Sequence, residues 1–216
     1  MEDFREMSPF FQDAFQELGN IGTGNAATAL SQMVGHSVQM SIPKVMVVPI
    51  EEVPELVGGI EQVVAGIFLE VYGDVPSKIL LTFPHERLTV LTNLLMGAGM
   101  QDNMSPKELE ELKLSALKEL GNILASAYLN ALARFLNLEM LPSIPSLAID
   151  SMGAILDTVL VEVSQKEQYS LMLKTEIIET EAKVSGNFFL IPESKALNKV
   201  TQAMLNATGV ENAEQN

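Results

Sequence analysis

The chain has 216 residues, no cysteine, and 28 acidic against 13 basic side chains, for a formal charge of −15. That balance argues against nucleic acid, which needs a basic footprint, and against anionic membrane surfaces; it suits a partner with basic residues around its own site. The lack of cysteine excludes a disulfide framework and thiolate chemistry, and the setting expected is a reducing cytoplasm. The acidic start, MEDFREMSPF, lacks the basic-then-apolar layout of a signal peptide, and no apolar run nears the roughly 18 residues of a membrane span. Apolar residues make up 47% and mean hydropathy is +0.21. The length fits one or two domains and is ample for a buried core.

In chain order, the pattern predicts a helix over about 10–34, stopped by Gly35. Val38 to Ile50 reads as a strand, and Pro43 and Pro49 inside it point to an edge or a bulge. After a turn at Gly58-Gly59, Val63–Tyr72 and Ser77–Phe83 read as a strand pair joined through Gly73-Asp74-Val75-Pro76. Pro84 opens a helix to about Met96, closed by Gly97-Ala98-Gly99. Ser105 at the N-cap, Pro106 at the first helical position and Glu108 two residues on start a long helix that runs to about Leu136. Glu139–Asp150, carrying Pro142 and Pro145, reads as a strand, as do Ala154–Ser164, Tyr169–Ile178 and Lys183–Ile191. Pro192 starts a last helix to about Ala207, and the polar tail 209–216 is expected to fray.

A stretch near the start recurs. Asp13 to Asn25 reads DAFQELGNIGTGN, and Ser115 to Ala127 reads SALKELGNILASA. Asp13 corresponds to Ser115 and Pro43 to Pro145, an offset of 102 in both cases. Such a repeat predicts two fused copies of one unit. The expectation is an α/β (α+β) chain forming a single domain over 1–216, built of repeats at approximately 8–99 and 105–208 and related by a pseudo-two-fold axis. No Pro/Gly/Ser-rich linker separates them, only the joint from Gly97 to Ser105. The sheet is expected to be continuous and mostly antiparallel, with the two long motif helices packed on it, wet faces outward.

On a helical wheel of about 100° per residue, Asp13, Glu17, Asn20 and Gly24 share one face. Phe11, Ala14, Leu18, Ile21, Ala29 and Met33 are expected on the dry side. Ser115, Glu119, Asn122 and Ser126 repeat the wet face; Leu112, Ala116, Leu117, Leu120, Ile123 and Ala127 repeat the dry one. A solvated helix surface carries such residues by default. Two features speak for more. Gly19, Gly22 and Gly24 each cost about 1 kcal/mol against alanine, and they suit a surface where another backbone comes close. Glu-x-x-Asn with a later proline also survives in both copies while the sequence between has diverged.

Other motifs carry little. Gly22-x-Gly24-x-x-Ala27 mimics a dinucleotide fingerprint but lies inside a helix pattern, with no acid near residues 43–46 to hold a ribose. His36 and His85 are the only histidines and lack partners at metal-ligand spacing, and no P-loop, nucleophile elbow or triad is present. The twelve methionines read as core filling.

A carboxylate and an amide one turn apart, without a nucleophile or second acid, do not make a hydrolase site alone; they can complete one that a partner mostly supplies. An acyl phosphate on an aspartate is a suitable substrate, because its carboxylate leaving group needs no general acid. What it lacks is a water held in line with phosphorus, which an amide can provide. The carboxylate would pair with a basic residue on the phosphoprotein, and the metal would arrive with the substrate.

Asp or Ser, three residues, Glu, two residues, Asn, twenty-two residues, Pro is a pattern met twice, by Asp13, Glu17, Asn20 and Pro43 and by Ser115, Glu119, Asn122 and Pro145. In this the chain resembles the CheC/CheX/FliY family of chemotaxis phosphatases over roughly residues 8–208. CheX carries one motif and dimerises, and FliY has further N- and C-terminal segments that this chain is not expected to share; a monomer is expected. The resemblance implies hydrolysis of the aspartyl phosphate of the response regulator CheY. Asn20 and Asn122 would orient the water, and Glu17 and Glu119 would pair with the regulator's lysine. No cofactor of the chain's own is implied; Mg2+ would come with the phosphorylated regulator. Asp13 and Ser115 would orient the glutamates or touch the partner, and Pro43 and Pro145 would shape the strand edge beside each motif helix. A CheD-binding adaptor regulating receptor deamidation, and a non-catalytic flagellar-switch component, are the alternative roles. Leu124-Ala125 and Ser126 replace Gly22-Thr23 and Gly24, so the second face is expected to be bulkier.

Overall fold

The computed structural model describes residues 9–41, 44–49, 52–53, 59–96, 104–164, 169–179 and 184–208. The first motif helix, α1, spans Pro9–Val34. Gly35 ends it at φ +72°, its N–H donating to the Ser31 carbonyl at 3.0 Å. Strands β1 (Val38–Met40), β2 (Lys44–Pro49), β3 (Val63–Gly73) and β4 (Ser77–Pro84) follow, then a 3-10 turn at His85–Arg87 and helix α2 (Leu88–Met96). The second half brings α3 (Pro106–Leu136), β5 (Met140–Pro142), β6 (Ser146–Ser151), α4 (Met152–Ser164), β7 (Tyr169–Glu179), β8 (Val184–Pro192) and α5 (Ser194–Thr208). The α3 start is a full capping box. The Ser105 hydroxyl accepts from the Glu108 N–H at 3.4 Å, and the Glu108 carboxylate accepts from the Ser105 N–H at 2.8 Å.

The strands form one antiparallel sheet in the order β1-β7-β8-β4-β3-β5, with β2 also on β7 and β6 also on β3. Each half therefore pairs its leading strands with the other half's hairpin. β4 and β8 meet at the centre, where Leu80 faces Phe189 and Leu81 faces Phe188. Leu81 and Phe188 join the core beneath α1 and α3; Leu80 and Phe189 join a second core on the opposite face. Cover on both faces is why β4 is buried along nearly its whole length. The β3–β4 turn is tied to the second half as well. The Asp74 carboxylate accepts from the Glu139 N–H at 2.9 Å and meets the Lys199 ammonium at 3.1 Å. The Glu139 hydrogen bond, then Lys199, hold this carboxyl below the ordinary carboxylate range, so the contribution exists at neutral pH and is lost as pH falls through that lowered value.

Because the halves exchange strands, neither can keep its pairing alone. Limited proteolysis is expected to give no stable fragment of about half the chain; two stable halves would contradict a single cooperative unit.

Three expectations are corrected. Residues 154–164 are not a strand but lie in α4, whose Met152, Ile155, Leu156, Val159 and Leu160 are buried at helical spacing against the second core. The strand expected over Glu139–Asp150 is broken into β5 and β6. Between Val71↔Pro142 and Phe68↔Ser146, residues 143–145 face only Leu69 and Glu70, a one-residue bulge. The register slips by one in the same way between Met40↔Ile177 and Lys44↔Lys174. The third correction is the dry side of α1, which centres on Phe15, Leu18, Gly22, Ala26 and Leu30, with Ile21, Ala29 and Met33 only half-buried. Small residues let α3 approach there. A Cβ on Gly22 would lie 2.5 Å from Tyr128 Cε2, and that ring is stacked on Phe188 with centroids 4.7 Å apart. By the repeat offset Gly22 corresponds to Leu124 and Ala26 to Tyr128, so small and large exchange places across the pseudo-two-fold.

Gly22→Ala should therefore overpack. The clash, roughly 1–3 kcal/mol, outweighs the ~1 kcal/mol gained in helix propensity, because the added Cβ would sit against a fully buried ring, and a lower urea midpoint is expected. Gly24 has nothing within 4 Å of an added Cβ, so Gly24→Ala should raise the midpoint by the equivalent of about 0.5–1 kcal/mol. Similar shifts for the two would refute this packing.

Candidate functional site

The features that place the motif are local. A helix that must bury one side on the sheet and on its neighbour turns its polar side outward. On α1, Asp13 and Glu17 are exposed and Asn20 is half-buried; on α3, Ser115 and Glu119 are exposed and Asn122 is half-buried. The glutamate thus stands further into solvent than the asparagine in each copy. The asparagine sits lower, one turn on, its Cβ about 5–6 Å away as for any such pair. Among the described residues, no hydrogen bond or ion pair engages the side chains of Glu17, Asn20, Glu119 or Asn122. Neighbouring polar groups on α1 turn to their own helix instead: the Thr23 hydroxyl donates to the Asn20 carbonyl at 3.1 Å, and the Asn25 amide to the Ile21 carbonyl at 2.8 Å. Both pairs are therefore free to engage an incoming group.

The structure gives each copy its own Glu and Asn on one helix. The glutamates are exposed and the asparagines half-buried on the helix surface. A cleft of about 640 Å3 lies elsewhere, at the end of α3, lined by Asp74, Phe135, Asn137, Lys199 and Asn206 among others and by none of the four motif residues. No cluster of His, Asp or Glu that could hold a metal ion occurs among the described residues, and none of their helices is long and apolar enough to cross a membrane.

The glycines do not all serve the outer face. Gly19 and Gly22 are buried, the latter against Tyr128, and only Gly24 is exposed. The second face is accordingly less bulky than expected. Leu124 and Ala125 point into the core at 0% exposure, so of these three replacements only Ser126 for Gly24 reaches the surface.

Pro145 lies in the bulge between β5 and β6, where its missing N–H costs the ladder nothing; Pro43 lies outside the described residues. Two serines that sequence reasoning missed hold these breaks. The Ser143 N–H donates to the Glu70 carbonyl at 2.8 Å, and the Glu70 N–H donates to the Ser143 hydroxyl oxygen at 3.0 Å. Ser41 and Glu176 repeat both bonds at 2.9 Å. The signal was available, since Ser41 and Ser143 obey the 102-residue offset and each stands two residues before its proline.

Two long helices packed on one shared antiparallel sheet form a fold that solved structures also contain. Thermotoga maritima FliY superposes with a TM-score of 0.69 at 20% identity, covering 94% of this chain and 99% of that one. The structure of a CheX–CheY–BeF3–Mg2+ complex from Borrelia burgdorferi matches with a TM-score of 0.53 at 15% identity, over 80% of this chain and 96% of that one. The CheC-like family model matches residues 10–47 and 112–149, which run in each copy from the motif helix into the strand beyond the bulge. The CheY-P phosphatase CheC of Bacillus subtilis (strain 168) is 30% identical over 194 residues, 89% of this chain and 92% of its relative. The chain belongs to the CheC-like family.

Proposed function

We propose that the chain hydrolyses the aspartyl phosphate of the response regulator CheY, at two surface sites formed by Glu17 with Asn20 and Glu119 with Asn122. The observation that carries this reading is the geometry just described: two outward Glu-x-x-Asn pairs whose side chains are not engaged within the described chain. A solvated face would not need the pair twice in one register. A carboxylate and an amide supply no nucleophile, so the pair suits positioning of a water on a partner's phosphoryl group. The relative from Bacillus subtilis bears the name of a CheY-P phosphatase, and the CheX structure holds CheY with BeF3 and Mg2+; both support CheY as the partner.

The roles follow from chemistry. Glu17 or Glu119, more exposed than its asparagine, pairs with a lysine beside the regulator's phosphoaspartate and sets the approach. Asn20 or Asn122, one turn on, enters the site, and its amide holds a water in line with the phosphorus–oxygen bond to the aspartate. Attack forms the new P–O bond to water as the bond to the aspartyl oxygen breaks, and the departing carboxylate needs no proton. Mg2+ belongs to the substrate and neutralises the phosphoryl oxygens. The chain's contribution is positioning, which is worth several orders of magnitude when a reactant is held in a near-attack geometry. Asp13 and Ser115 orient their glutamates or meet the partner. Pro145 shapes the bulge between β5 and β6.

The test is release of inorganic phosphate from phosphorylated CheY with and without the chain. Acceleration is expected, and unchanged decay with the chain in excess would refute the proposal.

A further inference from the structure

The two sites share Glu and Asn but not charge. Between Pro9 and Val34, α1 has no lysine or arginine, and its outward face carries Asp13 and Glu17 one turn apart with exposed Gln16 beside them. The equivalent residues on α3 are Ser115, Glu119 and Lys118, all exposed. Over these three positions the charge is −2 on α1 and zero on α3, and Glu111, one turn before Ser115, is met by Lys107 at 3.9 Å. Lys118 also stands one turn before Asn122, on the asparagine's side of the helix, with Cβ atoms about 5–6 Å apart. Among the described residues no ion pair engages Lys118. Charge on an exposed helix usually serves solubility, but here both differences border the pair that meets the partner.

We infer that residues 13 and 16 on α1, and 115 and 118 on α3, are specificity determinants that give the two sites different electrostatic demands on the phosphorylated regulator. The inference rests on the phosphatase reading above. Two like charges one turn apart add their fields, and at about 0.1 M salt the field reaches about 10 Å before screening. Lys118 and Glu119, adjacent in sequence, carry opposite charges that largely offset each other at longer range. Rim charges act mainly on the rate of encounter and on its salt dependence. The α1 site therefore draws a regulator whose phosphorylation site has a basic rim, and dominates at low salt. The α3 site relies on short-range contact and is indifferent to salt.

The experiment uses the full chain, with Asn122→Ala leaving the α1 site and Asn20→Ala leaving the α3 site. kcat/KM for phosphorylated CheY is measured from about 0.01 M to about 0.5 M ionic strength. The α1 site should lose on the order of tenfold across that range, and the α3 site less than about twofold. Adding Asp13→Ser with Gln16→Lys should flatten the α1 response. Adding Ser115→Asp with Lys118→Gln should confer the fall on α3. Equal salt responses of the two single variants, a reversed order, or responses unmoved by the exchanges would overturn the inference while leaving the phosphatase proposal intact. Complete inactivity of either single variant would instead overturn the two-site reading, and the inference with it.

Discussion

Asn20→Ala and Asn122→Ala, made singly, are each expected to leave partial catalysis when the variant is in excess over phosphorylated CheY. Each asparagine lies on its own helix beside its own glutamate, on α1 and on α3, and neither pair borrows a residue from the other. Losing the water-orienting amide should cost about 10²-fold or more at that site, in line with other positioning losses. The intact site then carries nearly all the turnover. Single-turnover decay measures the two shares directly. Abolition by one substitution alone would mean a composite site spanning both helices, which their separate motifs do not suggest.

Glu17→Lys with Glu119→Lys is expected to abolish binding of CheY loaded with BeF3 and Mg2+. Asn20→Ala with Asn122→Ala should bind nearly as well as the unchanged chain. The glutamates are exposed and the asparagines half-buried, so the carboxylate makes the first and outermost contact. Reversing its charge turns attraction to the regulator's lysine into repulsion, and like charges brought together at an interface cost several kcal/mol. An alanine in place of the amide removes one neutral hydrogen bond, about 1 kcal/mol. Pull-down with the loaded regulator separates the cases; equal loss in both double variants would erase the division between holding the partner and positioning water.

Much of this arrangement was legible in the chain itself, and what was not has physical reasons. The α3 start was readable because Ser105, Pro106 and Glu108 act on neighbouring backbone groups, without help from the rest of the fold. The β3–β4 hairpin was readable because Gly73, at φ +104°, announces its turn. Helix α4 was misread because Val159, Val161 and Val163 alternate as a strand would, while Met152, Ile155, Leu156, Val159 and Leu160 carry the helical spacing that tertiary burial selected. The exchange of strands between halves was hidden, since pairing of β1 and β2 with β7 joins residues some 130 positions apart. Gly22 was assigned to an approaching partner because a glycine marks close approach without naming what approaches; the structure names Tyr128. The Glu and Asn pairs were found by repetition, which needs no coordinates. Their outward placement followed from the helical wheel, and the packing adds that the asparagines are only half-exposed.

The most direct test of two water-orienting amides is single-turnover decay of phosphorylated CheY with the Asn20→Ala and Asn122→Ala double variant in excess. Binding to the BeF3-loaded regulator is checked in the same preparation. The expected result is retained binding with decay no faster than that of phosphorylated CheY alone. A double variant that still binds and still accelerates decay would contradict the mechanism, because catalysis would then reside in residues other than Asn20 and Asn122.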